Sequence, residues 1–140
     1  MKLSEKKKDL FTVGNEYYLA HCIASDLGMR AGIAVQIQKK FGVRGKIQKS
    51  GEDTKYPTCI LTGRVFNLIT KGRSPRKPSY ATLQGALEKM KSLVEIHQVK
   101  KLAMPKIDCG LDRLQWPRVR EILVEVFDGI EIEILICKWK

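Results

Sequence analysis

The sequence predicts an α/β layered domain with a largely parallel or mixed β-sheet. Two observations lead to this prediction: strand-like and helix-like patterns alternate along the chain, and no internal repeat or low-complexity tract interrupts them. The 140 residues, of which 44% are hydrophobic, are enough for one domain with a substantial core. We therefore expect a single domain over residues 1–140.

The first half of the chain supplies a strand, a helix and a hairpin. Residues 17–24, YYLAHCIA, form a short run rich in strand formers. In residues 30–41 apolar residues recur at helical spacing with lysines on the other side, which predicts an amphipathic helix. Residues 42–57 are polar, basic and contain glycine, so we expect a mobile connection. Residues 58–70 then give two strand-like runs around a turn, a hairpin pattern.

The second half continues the alternation. Residues 71–79 form a basic loop ending in a serine that can cap a long helix, which reaches about His97. Residues 100–107 predict a strand, and Pro117 fits the first turn of a further helix. Residues 130–137, IEIEILIC, alternate and predict the last strand.

The cysteines are isolated in the sequence. No CxxC pair is present, and only two histidines could join them as metal ligands. We expect four small buried apolar residues, without a disulfide, a metal site or a cofactor. The residues concerned are Cys22, Cys59, Cys109 and Cys137.

Nothing in the sequence indicates a membrane segment. No stretch approaches the roughly 20 apolar residues of a membrane span, and the start MKLSEKKKDLF has no apolar signal-peptide core. We expect a monomeric, soluble, intracellular protein of the nucleus, the cytoplasm or both, with no membrane partner.

The net charge of +11 is concentrated in the middle of the chain. Residues 30–77 contain twelve Lys or Arg against two acidic residues, a net +10. Such a segment attracts a polyanion or a phosphorylated ligand. A solvated helix face followed by a basic loop explains the same composition, so charge alone does not identify the partner.

Two glycine-containing segments lie where a strand gives way to a helix. They are SDLGMRAG, residues 25–32, and IDCGLD, residues 107–112. Open α/β sheets bind ligands at this position, and the start of a helix offers unpaired N–H groups to an anion. The two loops are therefore candidate phosphate sites on one cleft, although glycines at such turns are also common for structural reasons alone.

Several motifs together resemble the macrodomain family. They are KDLF (8–11), LAHCIASDLGMRAGIA (19–34), KKFG (39–42), LITKGR (68–73), KPSYATLQGALEKMK (77–91) and MPKIDCGLDRLQW (104–116). Within that family they resemble the subgroup that removes terminal ADP-ribose from proteins and deacylates O-acyl-ADP-ribose. The resemblance runs from about Lys8 to the C-terminus.

The resemblance implies a three-layer α/β/α sandwich around a mixed sheet of about six strands, with an ADP-ribose cleft. It implies ADP-ribose, O-acyl-ADP-ribose and mono-ADP-ribosylated proteins as partners, and Lys71 and Asp112 as the catalytic pair. Asp9 would accept a hydrogen bond from the adenine amino group. The ligand-binding positions that it implies are Asp9, Leu10, Ala24, Arg30, Ala31, Gly32, Ile33, Ala34, Lys106, Ile107, Asp108, Cys109, Gly110, Leu111 and Trp139.

The chemistry of the implied pair is coherent. A neutral lysine amine can attack the anomeric carbon of the distal ribose, displace a carboxylate and form a Schiff-base-type adduct once the ring opens. Asp112 would move the protons, first as general base and then as general acid. On the residues alone, the preferred interpretation of Lys71 is a surface lysine in a basic loop, and that of Asp112 is a helix cap.

The sequence departs from the family pattern at four positions. Lys8, Arg30 and Asp108 stand where glycine is common, and Ala24 where serine is common. Asp108 adds a carboxylate to a loop expected to surround a diphosphate, and two like charges about 5 Å apart cost on the order of 3 kcal/mol at an effective dielectric of about 20. Arg30 could offset this charge.

Two functions of different classes follow. One is an ADP-ribose hydrolase, favoured because Lys71 and Asp112 are both present. The other is an ADP-ribose reader with little turnover, with nucleic-acid affinity through the basic segment. That segment lacks the aromatic set that stacks on bases, which makes nucleic acid the weaker partner.

Overall fold

The computed structural model describes residues 1–29, 32–73, 77–109 and 114–138. Within these residues it contains six strands and four α-helices. The strands are β1 (Lys2–Lys7), β2 (Tyr18–Ala24), β3 (Thr58–Thr62), β4 (Val65–Lys71), β5 (Lys101–Met104) and β6 (Glu133–Lys138). The helices are α1 (Ile33–Phe41), α2 (Val43–Ser50), α3 (Tyr80–His97) and α4 (Trp116–Val126), with a short 3-10 helix at Leu10–Thr12.

The strands form one mixed sheet in the order β1-β6-β5-β2-β4-β3. Only β3 runs antiparallel to its neighbour, and every other pair is parallel. The carboxyl ends of β6, β5, β2 and β4 therefore meet at one edge of the sheet. The predicted mixed sheet of about six strands is confirmed.

The helices cover the two faces of the sheet, so the predicted three layers are confirmed. One core contains buried side chains of α1 and α2, the other those of α3 and α4. Strand β4 shows the division, since Val65 and Ile69 pack in the first core and Phe66 and Leu68 in the second. Among the described residues, no helix is both long enough and apolar enough to cross a membrane.

The predicted start of α3 is confirmed in atomic detail. The Ser79 hydroxyl accepts a hydrogen bond from the Thr82 backbone N–H at 3.1 Å, and the Thr82 hydroxyl lies 3.0 Å from the Ser79 backbone N. This reciprocal cap satisfies two N–H groups that a helix start leaves unpaired.

The expectation of a mobile connection over residues 42–57 is wrong for its first half. Helix α2 occupies Val43–Ser50, and Gly42 separates it from α1 in a left-handed conformation with φ 59°. Val43 and Ile47 lie one helical turn apart and are 0% and 1% exposed. Burial of this pair outweighs the polar composition, because tertiary packing supplies most of the stability of a short helix.

The sequence reading also missed β1 and extended β5 too far. The segment KLSEKK is mostly charged, so its sequence does not show the alternating burial typical of a strand. The strand nevertheless pairs in parallel with β6 along its whole length. Strand β5 ends at Met104, and Pro105 cannot donate a ladder hydrogen bond beyond it.

A buried polar pair links β2 and β4 on the face covered by α1 and α2. His21 and Asn67 are both 0% exposed, and His21 Nε2 lies 2.6 Å from Asn67 Oδ1. The Asn67 amide nitrogen donates to the Ile60 carbonyl and the Thr62 hydroxyl, so its oxygen is the acceptor for His21. Nε2 of the imidazole therefore carries a proton, and burial lowers the pKa of His21 to about 4, so the ring is neutral at pH 7.

Candidate functional site

A cleft of about 420 Å³ lies at the carboxyl ends of β5 and β6. Four parts of the chain form it: the turn after β1, the start of α1, the segment that follows β5, and the end of β6. The described residues that line it are Asp9, Leu10, Phe11, Gly32, Ile33, Gln36, Pro105, Lys106, Cys137 and Lys138.

The cleft collects five of the residues expected to bind a ligand. They are Asp9, Leu10, Gly32, Ile33 and Lys106. Gly32 ends the first loop and Ile33 follows it, and Lys106 precedes the second. The two strand-to-helix segments therefore meet at one cleft.

Other expected ligand residues lie beside the cleft rather than in its lining. Ala24, Ala34 and Ile107 are between 2% and 9% exposed, and Ala34 packs in the core beneath α1 and α2 and Ile107 in the core beneath α3 and α4. Their side chains belong to the core, so any contact they make with a ligand would run through the backbone. Asp108 and Cys109 likewise fall outside the described lining.

Six expected site residues lie outside the described residues. They are Arg30, Ala31, Gly110, Leu111, Asp112 and Trp139.

The sequence reading missed half of the lining: Phe11, Gln36, Pro105, Cys137 and Lys138. Gln36 had a usable signal, because it lies one helical turn after Gly32 and so shares that face of α1. Cys137 and Lys138 end a strand whose carboxyl end was already expected at the ligand edge.

Asp9 forms one wall of the cleft and caps the 3-10 helix. Its Oδ1 accepts a hydrogen bond from the Phe11 backbone N–H at 3.0 Å, which fixes the carboxylate relative to the cleft. Cys137 lies near it. Burial raises the pKa of the Cys137 thiol, while the Lys8 ammonium lowers it and the Asp9 carboxylate raises it. The thiol is therefore a neutral group of the cleft wall.

Two lysines on the rim are held by a network centred on β1. Lys106 Nζ lies 5.9 Å from the centre of the Trp116 ring, and Lys138 Nζ lies 3.5 Å from Glu5 Oε1. Trp116 Nε1 donates to Glu5 Oε2 at 3.3 Å, and Arg120 Nε donates to the same oxygen at 3.0 Å. Glu5 thus orders a positively charged rim suited to an anionic ligand.

The ionisation of Glu5 supports this network. Partial burial by itself raises the pKa of Glu5, but the hydrogen bonds from Trp116 and Arg120 and the charge of Lys138 outweigh it. The pKa of Glu5 is held below its ordinary value, so the carboxylate stays charged at neutral pH. It therefore keeps its ion pair with Lys138 and its hydrogen bond from Trp116, whose ring contacts Lys106.

The start of α1 offers a backbone anion site. Gly32 precedes the helix with φ 64° and ψ −148°, a conformation essentially limited to glycine. A Cβ at this position would meet no atom within 4 Å, so the glycine faces open space. The first N–H groups of a helix have no partner within it, and they favour a negatively charged ligand.

The second loop is closed at its base. The Leu114 backbone N–H donates to the Asp108 carbonyl at 3.2 Å, and the Cys109 N–H donates to the Lys106 carbonyl at 3.4 Å. Asp108 is 6% exposed and has φ 55°, a left-handed conformation that glycine adopts without strain. An aspartate tolerates it better than most residues.

Lys71 lies farther along the same edge of the sheet. It ends β4 opposite Ala24 of β2, and its carbonyl accepts the Ser25 N–H at 2.8 Å. The side chain is partly exposed and is not among the described residues that line the cleft. Three strand spacings of about 4.8 Å separate the ends of β6 and β4, roughly 14 Å. An elongated ligand in the cleft could therefore extend to Lys71.

The cysteines and histidines do not assemble into a metal centre in the described part of the chain, where no three metal-ligating side chains come together. The four cysteines, all of which lie in the described residues, form no disulfide. Cys59 and Cys137 are buried as expected, whereas Cys22 and Cys109 are partly exposed.

Comparison with known proteins shows extensive similarity to named relatives, although no protein-family model matches the sequence. The chain is 42% identical over 137 residues to the human protein named ADP-ribose glycohydrolase OARD1, covering 96% of this chain and 90% of that one. The protein of the same name from Bos taurus is 41% identical over the same length.

The fold recurs in solved structures of low sequence identity. The macrodomain of Mycobacterium tuberculosis DarG has a TM-score of 0.84 at 17% identity, with 99% of this chain and 97% of that chain covered. Thermosipho africanus DarTG in complex with ADP-ribose has a TM-score of 0.82 at 18% identity, with 98% of this chain and 41% of that chain covered. With the fold of these structures and over 40% identity to OARD1 along nearly its whole length, the chain belongs to the macrodomain family and is of the OARD1 type.

Proposed function

We propose that this protein is an ADP-ribose hydrolase that removes mono-ADP-ribose from acidic side chains of proteins and deacylates O-acyl-ADP-ribose. The proposal assigns the chemistry to Lys71 and Asp112. The observation that carries it is the arrangement of one edge of the sheet, with a cleft at β5 and β6 lined by the start of α1 and by Lys106, and with Lys71 at the end of β4. The relatives named ADP-ribose glycohydrolase support the reaction class.

The geometry suggests how ADP-ribose would lie. Adenine would enter the cleft beside Asp9, whose fixed carboxylate can accept a hydrogen bond from the amino group. The diphosphate would pass the start of α1 at Gly32 and the rim lysine Lys106. The distal ribose would then extend toward β4. This orientation brings the carbon that undergoes reaction toward Lys71.

The proposed reaction uses the two ends of the site differently. The cleft binds and orients the nucleotide, and Lys71 as a neutral amine attacks the anomeric carbon. The bond from the anomeric carbon to the ester oxygen breaks, so the carboxylate of the modified side chain leaves, and an acyl group carried on the anomeric oxygen leaves in the same way as its carboxylate. The sugar ring opens to a Schiff-base-type adduct, which water then hydrolyses. Asp112 would accept and return the protons in these steps.

Binding of ADP-ribose is the first test. A ligand that binds only the folded state at 100 times its Kd raises the free energy of unfolding by about 2.7 kcal/mol, which corresponds to several degrees in Tm. We expect this rise with ADP-ribose, measured by thermal unfolding and calorimetry. The inosine analogue should bind more weakly, because it places a carbonyl oxygen against the Asp9 carboxylate. No shift at millimolar ADP-ribose would rule out the proposed cleft.

Asp108→Gly is expected to tighten ADP-ribose binding by about tenfold. The substitution removes a carboxylate from a loop proposed to lie near the diphosphate, and glycine adopts the left-handed backbone without strain. Asp108 is nearly buried, so the gain should persist in salt better than the effect of a surface charge would. Calorimetric titrations at low and high salt measure it.

Asp108→Asn is the matched control, because it removes the charge and keeps the size and left-handed tolerance of the side chain. If charge is the handicap, the asparagine variant should show most of the gain. A gain confined to glycine would assign the effect to the backbone. Unchanged or weaker binding in both variants would show that Asp108 does not oppose the ligand.

A reader with nucleic-acid affinity is the second candidate, and the charge of the two helix layers favours it. Helices α1 and α2 carry five Lys or Arg and no acidic residue, whereas α3 and α4 carry four basic and four acidic residues. A face with a net +5 would attract a phosphodiester backbone. Salt-sensitive binding of a single-stranded oligonucleotide, together with ADP-ribose binding but no release of protein-linked ADP-ribose, would favour this candidate.

A further inference from the structure

The loop between β2 and α1 adopts a conformation that its own residues disfavour. Leu27 and Met29 have φ values of 57° and 45°, in the left-handed region. A residue with a Cβ loses about 1–2 kcal/mol in this region. Both side chains are 7% exposed and pack in the core beneath α1 and α2. Contacts outside the loop must therefore help to hold its shape.

Arg44 of α2 supplies such contacts. Its Nε donates to the Leu27 carbonyl at 2.9 Å, and its Nη2 donates to the Gly28 carbonyl at 2.8 Å. The planar guanidinium presents two donors in a fixed geometry, so adjacent carbonyl groups can be held at once. Hydrogen bonds from a charged donor are about twice as strong as neutral ones.

Arg44 is itself held in place. Its backbone N–H donates to Gln38 Oε1 on α1 at 2.8 Å, which ties the start of α2 to the preceding helix. Within the loop, the Gly28 N–H donates to Asp26 Oδ1 at 2.9 Å, and at its junction with β2 the Leu27 N–H donates to the Ala24 carbonyl at 3.0 Å. The loop is thus held both by its own hydrogen bonds and by Arg44.

The neighbouring cations of α2 behave differently. Lys46 and Lys49 are exposed, and within the described residues neither side chain makes a hydrogen bond or an ion pair. Arg44 is partly buried, and its guanidinium donates hydrogen bonds to two backbone carbonyls. A solvated helix face explains the two lysines but not Arg44.

The loop leads to the groups that face the cleft. It precedes Gly32 and Ile33, which line the cleft at the start of α1. A shift of the loop would move the helix N–H groups on which an anionic ligand depends. A site held in its binding geometry before the ligand arrives loses less free energy on binding.

We propose that Arg44 is a positioning residue that holds the loop from Ser25 to Met29, and with it the start of α1, in the shape required to bind the diphosphate of ADP-ribose. It acts through the backbone and does not touch the ligand. The statement about the ligand rests on the proposed function, whereas the statement about the loop does not. This also assigns a role to α2.

The test compares Arg44→Ala and Arg44→Lys with the control Lys46→Ala. Arg44→Lys keeps the positive charge and the aliphatic stem but loses the two fixed donors of the guanidinium. It therefore still tests the proposal if the alanine variant folds poorly. Hydrogen exchange at the Leu27 and Gly28 amides is measured in the ligand-free proteins. We expect at least tenfold faster exchange in both Arg44 variants, unchanged exchange in β4, and parental behaviour in Lys46→Ala.

Affinity and kinetics give the second readout. We expect about tenfold weaker ADP-ribose binding and a raised KM with kcat unchanged in Arg44→Ala, and a smaller loss in Arg44→Lys. Weaker binding without faster loop exchange would overturn the proposal, because Arg44 would then act through its charge. If the parental protein fails to bind ADP-ribose, the proposed function fails, but the hydrogen-exchange comparison can still be made. Exchange at the parental rate in the Arg44 variants would then show that Arg44 does not hold the loop.

Discussion

Lys71→Ala is expected to reduce the release of glutamate-linked ADP-ribose on the order of 10³-fold or more, because removal of a nucleophile typically has effects of this size. Lys71 ends β4 at the edge of the sheet but is not among the described residues that line the cleft. Affinity for ADP-ribose should therefore change little. Turnover of an ADP-ribosylated protein and calorimetry on the same variant measure the two quantities separately.

Lys71→Arg distinguishes the proposed nucleophile from a merely electrostatic lysine. Arginine keeps the positive charge but cannot act as a neutral amine at ordinary pH. It should be as inactive as the alanine variant. Cyanoborohydride, which reduces a Schiff base to a stable amine, should attach the ADP-ribose moiety to the parental protein and to neither variant. Parental turnover in Lys71→Arg would exclude covalent catalysis by this residue.

The second large effect concerns stability rather than activity. Burial lowers the pKa of His21 from 6.5 to about 4, although the hydrogen bond with Asn67 raises it. In the folded protein the ring stays neutral, and within the described residues its Nδ1 has no hydrogen-bond partner. Protonation would place a charge among buried side chains, a position that proteins strongly disfavour.

The sign of the pH dependence follows. Between pH 6.5 and about 4 the unfolded chain binds a proton at His21 that the folded protein does not bind. The contribution of the neutral His21 to the free energy of unfolding is fully present above pH 6.5. It is lost as the pH falls toward the folded-state pKa of about 4, and the total loss is about 3 kcal/mol. We expect this loss in urea unfolding curves across that range.

His21→Gln should remove the loss, because an amide nitrogen can still donate to Asn67 but does not titrate. His97→Gln, at the exposed end of α3, is the matched control and should keep the parental slope. An equally steep fall in His21→Gln would assign the acid sensitivity to other groups.

The sequence predicted those helices and strands whose residue pattern by itself indicates their structure. Helix α3 has an apolar stripe and a serine cap, and β6 alternates, so both were found near their observed bounds. Helix α2 and strand β1 were missed for one physical reason. Each is short and rich in polar or charged residues, and each is stabilised by a partner distant in the sequence: the core for Val43 and Ile47, and β6 for β1.

The site divides in the same way. Motif resemblance identified Asp9, Gly32 and Lys106, which do meet in one cleft. Cys137 and the Glu5 network required the structure, since strand pairing and side-chain contacts bring them there from the two ends of the chain. The left-handed backbone of Asp108 did have a local signal, because the motif suggests glycine at this position and aspartate tolerates the conformation better than most residues.

Strand β1 has a further consequence for self-association. It is an edge strand of the sheet, and its outward-facing backbone N–H and C=O groups could pair with a strand of another molecule. Lys2, Lys6 and Lys7 are exposed along this strand. Two such strands brought together would oppose like charges at several positions, which disfavours cross-molecular pairing. Neutral residues at these three positions should therefore make the protein prone to aggregation while leaving the β1–β6 pairing intact.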